Sequence, residues 1–404
     1  MKKGLMGVLT VTALLISGCG KSTDNKAMDD YVTNDGYKIV QSETADDSKV
    51  TTATETKAGT PVISKEKLKI GVLYIGKTSE ASGYTYTHEL GILGMINNLG
   101  LSDNQVIRKE SINDSDANAI DKALKECIDE GCNIIFATSW GYMDLVEKYA
   151  KEYPDVYFAH GTGYKSNAKN FTNYFGRIYQ ARYLSGIVAG LKTKTNKIGY
   201  VAAQGKDNSE VTGGIDAFAI GVESVNKEAK IYVEVTNSWY DPDGEKAKAE
   251  DLLDKGCDVL AQHCDTTAPQ EAAQKKGVWS IGYNSDMSKE TPKATLTSVV
   301  WTWSAFYTSY VQSIMDGSYD GSDYYDGMKV GLVGLSDLAD FNDSQAASKV
   351  EEAKAKLLSG EYGVFDGVLE TNDGKQIGSD GSTLDDATIK GSINWYYRNV
   401  IVEK

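Results

Sequence analysis

The sequence predicts an α/β protein built as two similar lobes that face each other across a cleft. Two observations lead there. From residue 68 onward, short apolar runs alternate with amphipathic stretches, the signature of a parallel sheet with helices on both faces. The same plan then recurs in the second half of the chain, marked by repeated short motifs.

Residues 68–75 form a short apolar run suited to a buried parallel strand. Ser115 is placed to cap a helix in which Ile120, Ala123, Leu124, Cys127 and Ile128 share one face. Gly131 ends that helix, and residues 133–137 read as the next strand. Lys69-Ile70-Gly71 recurs as Lys197-Ile198-Gly199, and Gly131-Cys132-Asn133-Ile134-Ile135 recurs as Gly256-Cys257-Asp258-Val259-Leu260. Each Gly-Cys pair follows an amphipathic helix and opens an apolar strand. With 40 Gly against 5 Pro, tight strand-to-helix turns are expected rather than Pro-rich linkers. Two open α/β lobes leave a cleft at the carboxyl ends of their strands, where loops converge on a ligand.

A chain of 404 residues is long enough for two ordinary domains. Its formal net charge of -15 argues against nucleic acid as a partner, because binding a polyphosphate requires a Lys/Arg surface. At the amino terminus Lys2 and Lys3 precede an apolar run over residues 5–16, near the length of a signal-peptide core and too short to span a bilayer. The run ends in Ile16-Ser17-Gly18-Cys19, which resembles the bacterial lipobox. That resemblance implies a signal peptide over residues 1–18, diacylglycerol and palmitate-type acylation at Cys19, and attachment to the outer face of the cell membrane. An ordinary secretory signal with a chance cysteine is the alternative. Residues 19–66 are rich in Ser, Thr, Asp and Lys, a composition expected of a flexible tether.

Catalytic signatures are sparse. The chain has 3 histidines, His88, His160 and His263, and no nucleophile elbow, metalloprotease helix or Walker loop. Gly161-Thr162-Gly163 lacks the third glycine of a dinucleotide fingerprint and reads as a turn. His263-Cys264-Asp265 groups potential metal ligands at a strand end, but its spacing matches no common zinc pattern, and such residues line the cleft in any case. Neither metal nor cofactor is expected. Cys132 and Cys257 read as small core residues, and a disulfide through Cys127 is not favoured. Tyr84, Tyr86, Trp140, Tyr142, Trp239, Tyr240, Trp301 and Trp303 fall where strands give way to loops or helices, a placement that suits a flat ligand held between rings. Core packing is the competing reading for any single ring.

A series of segments extends this reading: YTYTHELG at 84–91, FATSWGYMD at 136–144, NYFGR at 173–177, YLSGIVAG at 183–190, NSWYDP at 237–242, QHCD at 262–265, GYNSDM at 282–287 and TSVVW at 297–301. In that order they resemble the basic membrane protein family of ABC-importer lipoproteins, which includes purine nucleoside receptors. The resemblance runs from about residue 67 to the carboxyl terminus. It implies a type I periplasmic-binding-protein fold, two Rossmann-like lobes with a ligand cleft and three crossovers near residues 175, 287 and 323. Lobe 1 would hold residues 67–175 and 288–323, and lobe 2 residues 176–287 and 324–404.

The resemblance also implies a purine held between Tyr84 and Trp239, one ring from each lobe. Asp286 matches a carboxylate that accepts hydrogen bonds from ribose, and Asp144 lies near the position of an acid that reads the base edge. Thr85, Tyr86, Trp140, Asp265, Asn284 and Trp301 complete the expected binding set. Two departures bear on the ligand: Ala81 stands where the nucleoside receptors carry an acid, and Trp301 where they carry a lysine. A sugar hydroxyl buried without a partner costs roughly 1–3 kcal/mol, so the expectation is a free base such as adenine, hypoxanthine or guanine, with a nucleoside as the alternative. The expected protein is a monomeric binding protein that closes by hinge motion and delivers its ligand to a permease and ATPase. The rivals are a secreted nucleoside-processing enzyme and a surface receptor that feeds no transporter.

Overall fold

The computed structural model describes residues 62–402. The expected signal peptide, Cys19 and residues 19–61 of the expected tether lie outside the described residues. Among those described, no helix is long and apolar enough to cross a membrane.

The first run of elements is β1 (Ile70–Leu73), α1 (Gly83–Leu99), β2 (Val106–Lys109), α2 (Ala117–Asp129), β3 (Ile134–Ala137), α3 (Met143–Glu152), β4 (Tyr157–Gly161) and β5 (Phe171–Gly176). The second is α4 (Tyr179–Lys192), β6 (Lys197–Ala202), α5 (Ser209–Val225), β7 (Lys230–Val235), α6 (Pro242–Asp254), β8 (Val259–His263), α7 (Ala268–Lys276), β9 (Trp279–Asn284) and β10 (Thr295–Trp301). There follow α8 (Ser304–Asp316), β11 (Tyr324–Asp326), β12 (Val333–Leu335), α9 (Ala346–Ser359), β13 (Asp366–Glu370), β14 (Gln376–Thr383), α10 (Asp386–Gly391) and β15 (Val400–Val402).

β1, β3, β4 and β8 are buried along their whole length, as expected of strands covered on both faces. They sit in two sheets, ordered β11-β5-β4-β3-β1-β2 and β12-β10-β9-β8-β6-β7-β15. All pairings in these sheets are parallel except β10 with β12. In each sheet the strand order turns back at the first strand of the lobe, β1 or β6, the place where α/β folds open a crevice. The architecture is the type I periplasmic-binding fold.

The internal repeat is visible in the backbone. Gly131 and Gly256 both take left-handed conformations, φ +83° and +89°, which only glycine adopts without strain. After each, the cysteine amide donates back to the helix, Cys132 to Cys127 at 3.0 Å and Cys257 to Leu252 at 3.1 Å. Both cysteines are buried and free, as is Cys127. The α2 cap falls one residue later than expected: Asp116, not Ser115, accepts the Asn118 and Ala119 amides. Its carboxylate also complements the positive helix end.

Strand pairing corrects two expected lobe boundaries. The segment after residue 287 does not cross over: it is a loop within the second sheet, and β10 pairs with β9 from Thr295↔Ser280 to Val300↔Asn284. The chain leaves that sheet only after Trp301, whereupon α8 packs against α1 of the first lobe. β11 then pairs with β5, so residues 324–326 belong to the first sheet. The motif at 282–287 ends a strand, which resembles a crossover in sequence, but the hydrogen-bonding capacity of β9 is filled by the strand that follows it.

Around these crossings the lobes share a column of rings. His88 of α1 stacks on Trp303 (4.5 Å, 14°), and Trp303 stacks on Trp301 (4.4 Å, 10°). His88 Nδ1 pairs with the Tyr307 hydroxyl at 2.7 Å, and burial pushes its imidazole well below the ordinary range. His88 is thus neutral where it packs beside the crossing that follows Trp301.

Candidate ligand-binding cleft

The carboxyl ends of both sheets open on one cleft of about 1080 Å³. Of the expected site residues, Tyr84, Trp140, Trp239, Asp265 and Trp301 line it.

Tyr84 stands in the first turn of α1, immediately after Gly83. A Cβ at Gly83 would meet the Asp265 carbonyl oxygen at 2.5 Å, and φ there is +89°, so only glycine lets α1 begin this close to the second lobe. The Tyr84 hydroxyl donates to the carbonyl of Thr138 at the end of β3. Its ring meets His88 edge-on at 4.4 Å. Burial raises its phenol well above the ordinary range, so it remains neutral.

Trp239 is held on both sides by local structure. After β7, Asn237 takes φ +57° and the Thr236 hydroxyl donates to the Ser238 carbonyl at 2.7 Å. Asp241 then caps α6 by accepting the Gly244 amide at 3.0 Å, ahead of Pro242 in the first helical turn. The Trp239 carbonyl accepts the Asp265 amide at 2.9 Å, which ties this loop to the end of β8. One ring from each lobe therefore opens on the same space.

Asp265 receives the Asn284 side-chain amide at 2.7 Å. Burial, opposed by that bond and reinforced by Glu245, Glu210 and Glu80, pushes its carboxyl up to about 8. Asn284 is fully buried at φ +68°, and its Oδ1 has no partner among the described residues. It stands behind Asp265 rather than among the lining residues. Trp301 forms cleft wall while only 2% exposed, with its indole N–H 3.3 Å from the Tyr283 hydroxyl. Trp140, 56% exposed, sits on the rim.

The remaining expected residues lie elsewhere. The Thr85 hydroxyl accepts the Gly76 amide at 3.0 Å, which fixes the loop after β1. Tyr86 is half-buried and is not among the residues that line the cleft. Asp144 pairs with Lys165 at 2.6 Å on the surface. Asp286 accepts the Ser288 amide and hydroxyl, both at 3.0 Å, in a local turn. The order of residues along a loop does not say which side chain closes the turn and which points inward, and here a neighbouring serine decides it. The His263-Cys264-Asp265 triplet splits likewise. His263 lies behind the wall, edge-on to Tyr283 at 4.8 Å and Trp239 at 5.8 Å, and Cys264 is buried behind it. No group of three or more potential metal ligands forms among the described residues.

The structure adds lining residues that sequence reasoning missed: Glu210, Asn173, Phe175, Tyr283, Tyr325 and Lys390 among them. Glu210 follows the cap Asn208, whose side chain accepts the Val211 amide at 3.1 Å. That Asn-Ser-Glu signal marks a helix start beyond a strand, a position that faces the cleft in this fold.

The chain matches the family described as ABC transporter substrate-binding protein PnrA-like over residues 67–366. It is 35% identical to a purine-binding protein of Brucella abortus, over 83% of this chain and 94% of that protein. It is also 37% identical to a putative ABC transporter glucose-binding protein of Haloferax volcanii, over 58% of this chain and 59% of that protein. Among solved structures, an ABC solute-binding protein of Aeropyrum pernix superposes with a TM-score of 0.62 at 19% identity, over 80% of this chain and 95% of that one, a likeness of fold. This protein is therefore an extracytoplasmic substrate-binding component of an ABC transporter and not an enzyme, and the chain belongs to the PnrA-like substrate-binding family.

Proposed function

We propose that this protein captures a purine base and delivers it to an ABC permease and ATPase, held at the membrane as a monomer by lipid on Cys19. The observation that carries the reading is the pairing of Tyr84 from the first lobe with Trp239 from the second on one cleft. Closure would bury both faces of a flat ring between them, and stacking of a base on an aromatic side chain contributes roughly 1–3 kcal/mol. Trp301 supports a base over a nucleoside. Its indole is packed against Trp303 and takes up wall space with an apolar face that offers nothing to a sugar hydroxyl.

Calorimetric titration with adenine, hypoxanthine, guanine, adenosine and glucose tests this. A base should bind at least about tenfold more tightly than adenosine, a difference of about 1.4 kcal/mol, and glucose should give no heat. Adenosine binding more tightly than every base would replace the reading with nucleoside capture. Glucose binding alone would place this chain with the function named for the Haloferax relative. Labelling with radioactive palmitate that is lost in Cys19→Ser tests the anchor.

A further inference from the structure

We infer that Glu210 is a specificity-determining residue of the cleft, accepting a hydrogen bond from an N–H or amino group on the edge of the bound ring. This deepens the purine reading and rests on it.

Glu210 lies in the first turn of α5 and lines the cleft, with a side chain 22% exposed. No donor among the described residues hydrogen-bonds its carboxyl. His263 Nε2 stands at 3.6 Å, beyond bonding distance. A nearly buried carboxylate without donors is costly, so this one is built for a donor that arrives from outside. Its position is central: its charge is felt by Tyr84 of the first lobe, by Tyr283, by Tyr325 of β11 and by Asp265.

The groups behind it favour the same role. Arg182 of α4 is fully buried, donates to the Gln262 carbonyl, and lies 4.0 Å over the Tyr283 ring. Its Nε and Nη2 have no hydrogen-bond partner among the described residues, nor do both nitrogens of His263. The guanidinium stabilises negative charge on Glu210 across the cleft wall, while burial opposes it more strongly, and the carboxyl stands at about 7. Facing it are Arg182 from α4, Tyr200 from β6, His263 and Asp265 from the end of β8, Tyr283 from β9, and Tyr84 and Tyr325 from the first lobe. Burial and the Arg182 charge both hold His263 neutral, so it neither pairs with Glu210 nor repels a ligand donor. Asp114, Asp207, Asp265 and Asp323 also line the cleft, against the single lysine Lys390. A ligand edge rich in donors suits this field, and a phosphate does not.

Adenine is the probe. Glu210→Gln keeps the shape and removes the charged acceptor, as protonation does. Over about pH 5.5 to 8 adenine stays neutral, and the Kd ratio of variant to wild type isolates Glu210 because Asp265 is common to both proteins. The ratio should be near one at about pH 5.5 and reach about 10 to 100 at about pH 8, in the range of a hydrogen bond to a charged group. A ratio near one at every pH, with wild type binding adenine and both proteins melting alike, overturns the inference and leaves the purine reading intact. Absence of purine binding by wild type overturns both. If Glu210→Gln melts early, Glu210→Asp, which keeps the charge and shortens its reach, should weaken adenine by about tenfold. Unchanged affinity in that variant overturns the inference.

Discussion

The two lobes repeat one fold, yet their cleft walls are finished differently. In the first lobe the polar groups at the ends of β1 and β3 satisfy one another, although the Asn173 amide nitrogen of β5 has no partner among the described residues. Ser139 donates to Asp114 at 2.5 Å, the Thr138 hydroxyl to the Leu73 carbonyl at 2.8 Å, and the Tyr84 hydroxyl to the Thr138 carbonyl. In the second lobe buried groups are left open: Arg182 Nε and Nη2, both nitrogens of His263 and the Asn284 oxygen lack hydrogen-bond partners among the described residues, and burial raises the carboxyls of Glu210 and Asp265. Buried polar groups are normally paired, and exceptions call for a reason. The contrast teaches a division of labour in which the first lobe offers a platform and the second lobe reads the ligand.

The largest expected effect follows from removing the second lobe's ring. Trp239→Ala should weaken adenine binding by about 10- to 100-fold, measured by calorimetry. The melting temperature should change little, because the ring is only partly buried. Loss of folding, or unchanged affinity, would make Trp239 a core residue and remove the comparison.

Next comes a pH effect of the cleft carboxyls in the second lobe. A carboxyl raised in the folded state binds its proton more tightly there than in the unfolded chain. Between the unfolded value near 4 and the folded value near 8, the folded protein holds more protons, so the stability Asp265 contributes falls as pH rises. Glu210 adds the same sign up to about 7. Above about pH 6.5, where the lowered values of buried His88, His160 and His263 no longer act with the opposite sign, ligand-free protein should therefore become easier to unfold in urea up to about pH 8, and Asp265→Asn should lessen that slope. A slope that survives in Asp265→Asn and Glu210→Gln combined would locate it elsewhere.

Hinge closure should be smaller but visible in X-ray scattering, as a decrease in radius of gyration when adenine saturates the protein. Identical profiles with and without ligand would leave the lobes without relative motion. Smallest of all, Asp286→Asn should change adenine affinity less than about twofold, since its carboxylate closes a turn with Ser288. A tenfold loss would return Asp286 to the site.

Much of the fold was legible because its signals are local. Apolar strand runs, helix faces and the repeated Gly-Cys turn reflect burial and backbone geometry within a few residues. The order of crossovers was not, since β10 and β11 find their sheets through partners more than ten residues away in sequence. In the cleft, the rings at positions 84, 140, 239 and 301 could be read from strand-end placement and family resemblance. Glu210 could not, because nothing adjacent shows that its neighbours leave it without a donor. Asp144 and Asp286 do not line the cleft, for the converse reason: Lys165 and Ser288 hold them in local contacts.

The most direct test is a crystal structure of the protein grown with adenine. The ring should be seated between Tyr84 and Trp239, in contact with both lobes, with a nitrogen donor within about 3 Å of Glu210. Adenine bound outside this cleft, or touching one lobe alone with neither ring stacked on it, would contradict that placement.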